Sequence, residues 1–262
     1  MIAISDNVQV RKDNPSGSIV INRPNRRNAL SREIVAAIQQ GLEDLYQEGG
    51  VRAVILTGSG TTFCAGTDLQ EIKDTAEDKD SNTIWQQDVT RFQELIEYML
   101  RYPKPIICAT NGSVVGSGVA LMLASDIVVA EQHAKVLMPE AKRGLFAGVA
   151  AALLAFRIGT HQATKIMLSA TPLENDSALQ MGLFHEVVGS DLAWARCQQL
   201  ASDIAEGAHQ SHQLTKQMIN ETIGEELFNQ IRIGAANTAA ARTTEIAIEG
   251  VSAFLEKRAP DW

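Results

Sequence analysis

Two glycine turns, Gly58-Ser59-Gly60 and Gly116-Ser117-Gly118, constrain this chain more than any other feature. Each comes after an apolar run rich in β-branched residues. Arg52 to Thr57 precedes the first turn; Ile106 to Thr110 and an Asn111-Gly112 turn precede the second. Glycine at such points admits backbone angles and close approaches that other residues resist. The second turn opens onto an apolar helix, Val119 to Ala124, and Asp126 then leads into another strand, Ile127 to Ala130. Upstream, Ile19 to Asn22 reads as a strand ending at Arg23-Pro24-Asn25. Ser31 fits the N-cap of a helix whose Ile34, Ile38, Leu42, Leu45 and Tyr46 recur at helical spacing until Gly49-Gly50. Strands and helices thus alternate over the first ~150 residues, the pattern of a parallel-strand α/β core.

Residues 74 to 83 are the most polar run and are expected to form a mobile loop. A helix follows with Val89, Phe92, Leu95, Ile96 and Met99 on one face, ended by Pro103 and Pro105. From Val149 onward the pattern is almost wholly helical. No composition break resembles a flexible linker, so the expectation is one domain with a helical extension.

With 262 residues, 45% hydrophobic and 21% charged, the chain is long enough for a large core and unlike a disordered or fibrous sequence. Aromatic residues make up 5%, and small residues are plentiful, so backbones should approach closely inside. A net charge of −8 argues against non-specific nucleic-acid binding but leaves room for a local basic patch. Cys64, Cys108 and Cys197 have no metal-ligand spacing and suggest a reducing compartment. Met1 to Gly17 lacks the apolar core of a signal peptide, and the longest apolar stretch, Ala147 to Phe156, is roughly half of a membrane span. The expectation is a cytoplasmic protein without membrane or nucleic-acid partners.

A dinucleotide site fails on spacing, because the third glycine would fall at Phe63, and no phosphate-loop Gly-Lys-Ser/Thr exists. His209 and His212 sit among polar residues and read as solvated surface; no metal site is expected. Two glycine-flanked turns are left, Ala65 to Leu69 and Gly116 to Gly118. Two backbone N–H groups from separate loops, one at a helix N-terminus, are what a developing oxyanion needs. The same glycines could serve tight turns and close helix packing alone. Asp68 reads as a helix N-cap. Trp85, Phe92 and Phe146 fit either a pocket wall or ordinary core.

Longer segments carry a resemblance. Ile21-Asn22-Arg23-Pro24-Asn25-Arg26-Arg27-Asn28-Ala29-Leu30-Ser31, Phe63-Cys64-Ala65-Gly66-Thr67-Asp68-Leu69, Pro105 to Asp126, Met138-Pro139-Glu140-Ala141-Lys142-Arg143-Gly144-Leu145, Ala178 to Val188 and Phe254-Leu255-Glu256-Lys257-Arg258 resemble, in order, the landmarks of the crotonase (enoyl-CoA hydratase/isomerase) superfamily. The resemblance implies an α/β fold, a spiral of ββα units over residues 1–195, with a helical C-terminal trimerisation region over 196–262. It implies an acyl-CoA thioester as substrate, with coenzyme A part of that substrate and no separate cofactor, and a homotrimer or hexamer.

By position, the resemblance places the two oxyanion donors on the backbones of Thr67 and Ser117 and the proton-transferring carboxylate on Glu140. Arg26, Arg27, Ala29, Cys64, Ala65, Gly66, Asp68, Leu69, Gly116, Phe254 and Lys257 fall at substrate- or CoA-binding positions. The first of the two hydratase glutamates would stand four residues after Gly116, where this chain has Ala120; a second isomerase pattern would place its glutamate at Gly148. One acid suits a Δ3,Δ2-enoyl-CoA isomerase, which shuttles a proton between α and γ carbons. Hydration of a 2-enoyl-CoA and non-catalytic acyl-CoA binding are the alternatives. A related fold carries a nucleophilic serine near Ser117, with Asp126 and His133 nearby in sequence, but a triad is recognised by geometry.

Overall fold

The strands come in pairs that separate into two sheets. A computed structural model describes residues 2–262, so Met1, the first residue of the expected core segment, lies outside the described residues. β1 (Ile2–Ser5), β2 (Val8–Asp13) and β3 (Ser16–Ile21) form an antiparallel meander followed by α1 (Arg32–Gln47). A repeating unit then begins. β4 (Ala53–Gly58) leads to β5 (Thr62–Cys64), α2 (Leu69–Ala76) and α3 (Ser81–Arg101). β6 (Ile106–Thr110) leads to β7 (Ser113–Val115) and α4 (Ser117–Ala124). β8 (Ile127–Glu131) leads to β9 (Lys135–Leu137), a 3-10 turn at Glu140–Arg143, and α5 (Gly148–Ile158). After α6 (Thr160–Ser169) come β10 (Leu173–Glu174), α7 (Asn175–Gln180) and β11 (Glu186–Val188). Four α-helices finish the chain, α8 (Ala193–Ala205), α9 (His209–Gln217), α10 (Glu225–Arg242) and α11 (Glu245–Glu256), with a π-helical segment at Met218–Ile223 between α9 and α10.

The first strand of each pair joins a seven-stranded sheet of order β1-β2-β3-β4-β6-β8-β11, parallel from β3 onward. The second strand joins a four-stranded sheet, β10-β9-β7-β5. Every residue of β4 and β6 is buried, as a parallel sheet covered on both faces requires. Alternate side chains divide between two cores. Val54, Leu56, Ile106 and Cys108 face the main core, while Ala53, Ile55, Ile107 and Ala109 lie under Ala193, Cys197 and Ala201 of α8. The expected 195/196 division falls inside α8, whose apolar face covers the sheet. Among the described residues no helix is long and apolar enough to cross a membrane.

The polar run 74–83 is not a loop: only residues 77–80 separate α2 from α3. The two helices bury Ile72 and Trp85 together with Val251 of α11. Trp85, weighed for the pocket, belongs to this cluster. The strands β5, β7 and β9 escape sequence reading, because three residues are too few for a period of two to show.

Small residues do bring backbones together, most closely where α5 crosses α10. A methyl group on Gly148 would collide with the Gly234 carbonyl, and one on Gly234 would lie 2.5 Å from the Gly148 carbonyl carbon and oxygen. Gly234→Ala is therefore expected to lower unfolding stability by about 1–3 kcal/mol through overpacking, read from the urea midpoint at unchanged m-value.

Candidate active site

Three loops converge at the ends of the short sheet. The first runs from Arg23 to Leu30 and is held by Asn28, which is fully buried. Its Oδ1 accepts the Arg23 N–H at 2.9 Å, and its Nδ2 donates to the carbonyls of Ser59 (2.9 Å) and Thr62 (2.7 Å). The second loop, after β5, lies parallel to the first. Ala65 N–H donates to Arg27 O, Leu30 N–H to Gly66 O and Asp68 N–H to Leu30 O, at 2.8–3.0 Å. The third loop, after β7, contains Gly116, with φ +55° and ψ −119°, immediately before α4.

Gly66 (φ +84°) and Gly116 bring the second and third loops into contact. A methyl group on Gly66 would lie 2.8 Å from Val115 O and 3.3 Å from Ser117 N; one on Gly116 would strike Glu140 Oε1. The hydroxyls of Thr67 and Ser117 hydrogen-bond to each other at 2.7 Å across the junction. Neighbouring amides are engaged, but among the described residues no acceptor takes the backbone N–H of Thr67 or of Ser117. Both residues line a cavity of about 1070 Å³, mouth included, as do Ala65, Gly66, Asp68 and Leu69. A pair of free amides meets a carboxylate there.

That carboxylate is Glu140, half-buried in the cavity wall at the start of the 3-10 turn. Burial pushes its pKa up from an ordinary 4.5 to about 7, opposed by a backbone hydrogen bond and by the Arg143 charge. The Arg143 guanidinium lies 4.0 Å above the Phe254 ring, and its own pKa is lowered by burial. The cavity wall is otherwise largely apolar, with Val89, Phe92, Phe146 and Val149 among its residues.

Several expected binding residues stand elsewhere. Cys64 does not reach the cavity: it is wholly buried beneath the second loop, where its Sγ accepts the Gly66 N–H at 3.4 Å. Gly116 is buried too, and its contribution is the space for Glu140. Arg26 and Arg27 are exposed on the first loop and Ala29 is half-buried, all three outside the cavity wall. Phe254 is exposed, stacked against the Arg143 guanidinium and outside the cavity wall, and Lys257 is exposed at the left-handed end of α11. Asp68 caps α2 by accepting the Gln70 N–H (3.0 Å) and pairs with Arg23 Nη1 (2.5 Å). The triad arrangement is absent from the three residues weighed. Ser117 bonds Thr67, Asp126 accepts from Lys216 Nζ and Ile106 N–H, and His133 lies 3.3 Å from Glu131.

Sequence reasoning missed four arginines in the wall, Arg32, Arg91, Arg143 and Arg242. Arg242 ends α10 and is buried, with its pKa lowered to about 10 chiefly by that burial. Only tertiary packing distinguishes it from the solvated arginines common at helix ends.

A family model for enoyl-CoA hydratase/isomerase matches residues 13–262. The chain belongs to the enoyl-CoA hydratase/isomerase family. Similar proteins include a Thermus thermophilus protein assigned as an enoyl-CoA hydratase, 34% identical over 97% of this chain and 99% of its own length. The 1,2-epoxyphenylacetyl-CoA isomerase of Escherichia coli is 32% identical, covering 94% of each chain. Among solved structures, an enoyl-CoA hydratase/isomerase from Pseudoalteromonas atlantica is 32% identical with a TM-score of 0.84, covering 98% of this chain and 99% of that one. The family and these neighbours bear out the expected crotonase-type fold.

The Gly116 position carries a test. Gly116→Ala puts a methyl group against the Glu140 carboxyl in a backbone conformation that L residues resist. Displacing either the amide or the carboxyl should cost about 10²-fold in kcat, with the circular dichroism spectrum unchanged. A variant with wild-type kcat would separate this junction from the chemistry.

Proposed function

We propose that this enoyl-CoA hydratase/isomerase family member acts as an isomerase, moving the double bond of an enoyl-CoA with one carboxylate. The amides of Thr67 and Ser117 receive the thioester oxygen as it becomes an enolate oxyanion. Glu140 removes a proton from one carbon and returns it to the carbon two positions along. The observation that carries this reading is the Glu140 carboxyl, poised near neutral pH beside two unpartnered amides. No cofactor is required for that transfer, since coenzyme A is part of the substrate.

Ala120 favours isomerisation over hydration. It is 0% exposed within α4 and lies outside the cavity wall, where the two-acid pattern would need a carboxyl. The other acids of the wall have duties: Asp68 pairs with Arg23, Asp88 with Arg32, and Glu71 accepts the Arg32 N–H at 3.0 Å. Hydration is the second reading, supported by the 2,3-dehydroadipyl-CoA hydratase of Escherichia coli, 32% identical over 93% of each chain. Arg26, Arg27 and Lys257 are the cations proposed for the CoA phosphates. The proposed trimer or hexamer is supported by Ile233, Ile246 and Ile248, left exposed on α10 and α11.

Two outcomes test Glu140. Glu140→Gln should reduce isomerisation of 3-enoyl-CoA by about 10²–10⁴-fold in kcat, with a small change in KM. In the wild type, kcat/KM should rise with pH and level off above about 7, since the base must be ionised. Equal turnover by the variant would remove Glu140 from the mechanism.

Stability should move the opposite way. A folded-state pKa above the unfolded one means the native state binds more protons between pH 4.5 and about 7, so stability falls as pH rises through that window. Glu140→Gln should then be more stable than wild type above pH 7, by up to about 3 kcal/mol, and equal to it below pH 4.5. Denaturant midpoints at pH 4 and pH 8 read the difference.

A further inference from the structure

The proposed proton transfer leaves a second polar cluster in the cavity wall unused. Arg242 closes α10 and is 7% exposed, yet it forms part of that wall. Among the described residues no hydrogen bond or ion pair reaches its guanidinium. The acid that acts on it, Asp88, is already spent, its two oxygens taken by Arg32 Nε at 2.7 Å and Nη2 at 2.8 Å. Thr238, one turn earlier on α10, is also committed: its hydroxyl accepts the Gly148 N–H at 2.9 Å and donates to Gly234 O at 2.8 Å. Arg91, three residues beyond Asp88 on α3, adds another cation to the same wall without an ion pair among the described residues. Asp88 and Arg32 act on Arg242, whereas Arg143 acts on Glu140.

Buried guanidinium groups are held by acceptors, and one without them is costly unless a ligand supplies the partner. A methyl-terminated acyl chain would press hydrocarbon against this cation and strip its water. A carboxylate matches the planar fork with paired, charge-assisted hydrogen bonds. The phosphates of CoA are carried on the long solvated arm of the substrate and do not suit a buried site.

We propose that Arg242 binds a carboxylate at the distal end of the acyl chain, so that the preferred substrates are CoA monothioesters of dicarboxylic acids. This inference rests on the acyl-CoA reading of the site and narrows it to a substrate class. Arg91, exposed at the same wall, contributes to the field that draws the carboxylate in.

The test compares six-carbon monounsaturated CoA thioesters ending in a methyl group or a carboxylate, in both double-bond positions. The wild type should favour the carboxylate ester by about tenfold or more in kcat/KM, chiefly through KM. Arg242→Gln should abolish that preference and Arg242→Lys should restore part of it, since lysine keeps the charge and loses the fork. Because a buried variant can fail to fold, calorimetric binding of the saturated six-carbon pair to wild type provides a second readout. A binding preference for the carboxylate ester supports the inference even if neither enoyl ester turns over, an outcome that would overturn the isomerase and hydratase readings alone. Equal handling of the two esters by wild type, in turnover or in binding, overturns the distal-carboxylate site and leaves the catalytic proposal standing. If neither ester binds, both fall.

Discussion

Gly66 and Gly116 meet with no side chain between them, and the site is organised around that contact. β5 and β7 are parallel neighbours in the short sheet, so the loops that leave them emerge side by side. Two adjacent loops with ordinary residues would be held apart by their Cβ atoms. Both glycines have positive φ, and the residues that follow them, Thr67 and Ser117, line the cavity with backbone N–H groups that no acceptor takes among the described residues. The fold's repetition does the placing. Asn111 locks successive turns by donating to Gly60 O at 2.7 Å and accepting the Gly58 N–H at 3.3 Å.

The same geometry sets the electrostatics. Glu140 can stand beside Gly116 because glycine leaves the space, and that position withdraws the carboxyl from water enough to raise its pKa. Arg143 opposes the shift, but its guanidinium is half-buried and stacked on Phe254, so the opposition is partial. A closer, bidentate arginine would return Glu140 to the ordinary carboxylate range and leave a weak base at neutral pH. The arrangement spends stability to keep the carboxyl near the pH at which it gives and takes protons with equal ease.

The long elements were legible because each is long enough to show its period: Ser31 caps α1, and Ile34, Ile38, Leu42 and Leu45 trace one buried face. The two glycine loops that meet at the cavity were legible because positive φ and close approach leave glycine as their mark. The short sheet was not, since β5 and β9 are three residues each and owe their form to neighbours distant in sequence. Arg242 was illegible for a related reason. An arginine in the last turn of a helix is ordinarily solvated, and nothing in the local sequence of α10 says that the helix packs between α3 and α5. Cys64 misled in the opposite direction: it adjoins the oxyanion loop in sequence, but strand alternation turns its side chain underneath.

Ala120 bears on how readily a site of this kind changes chemistry. α4 is apolar on every side, with Gly118 to Ala124 all buried, and it packs at its start on Cys64 so closely that a methyl group on Gly118 would lie 2.8 Å from the Cys64 Cβ. A carboxyl at position 120 would need a polar channel through that packing, and one residue cannot create it. The acids already in the wall cannot substitute without breaking the pairs of Asp68 with Arg23 and Asp88 with Arg32, which hold the entrances to α2 and α1. Adding water across a double bond asks for two groups that orient and ionise it. Shifting the double bond asks for one group within reach of two carbons. Under the proposed isomerase reading, the packing of α4 is what stands against a second acid, and so against hydration.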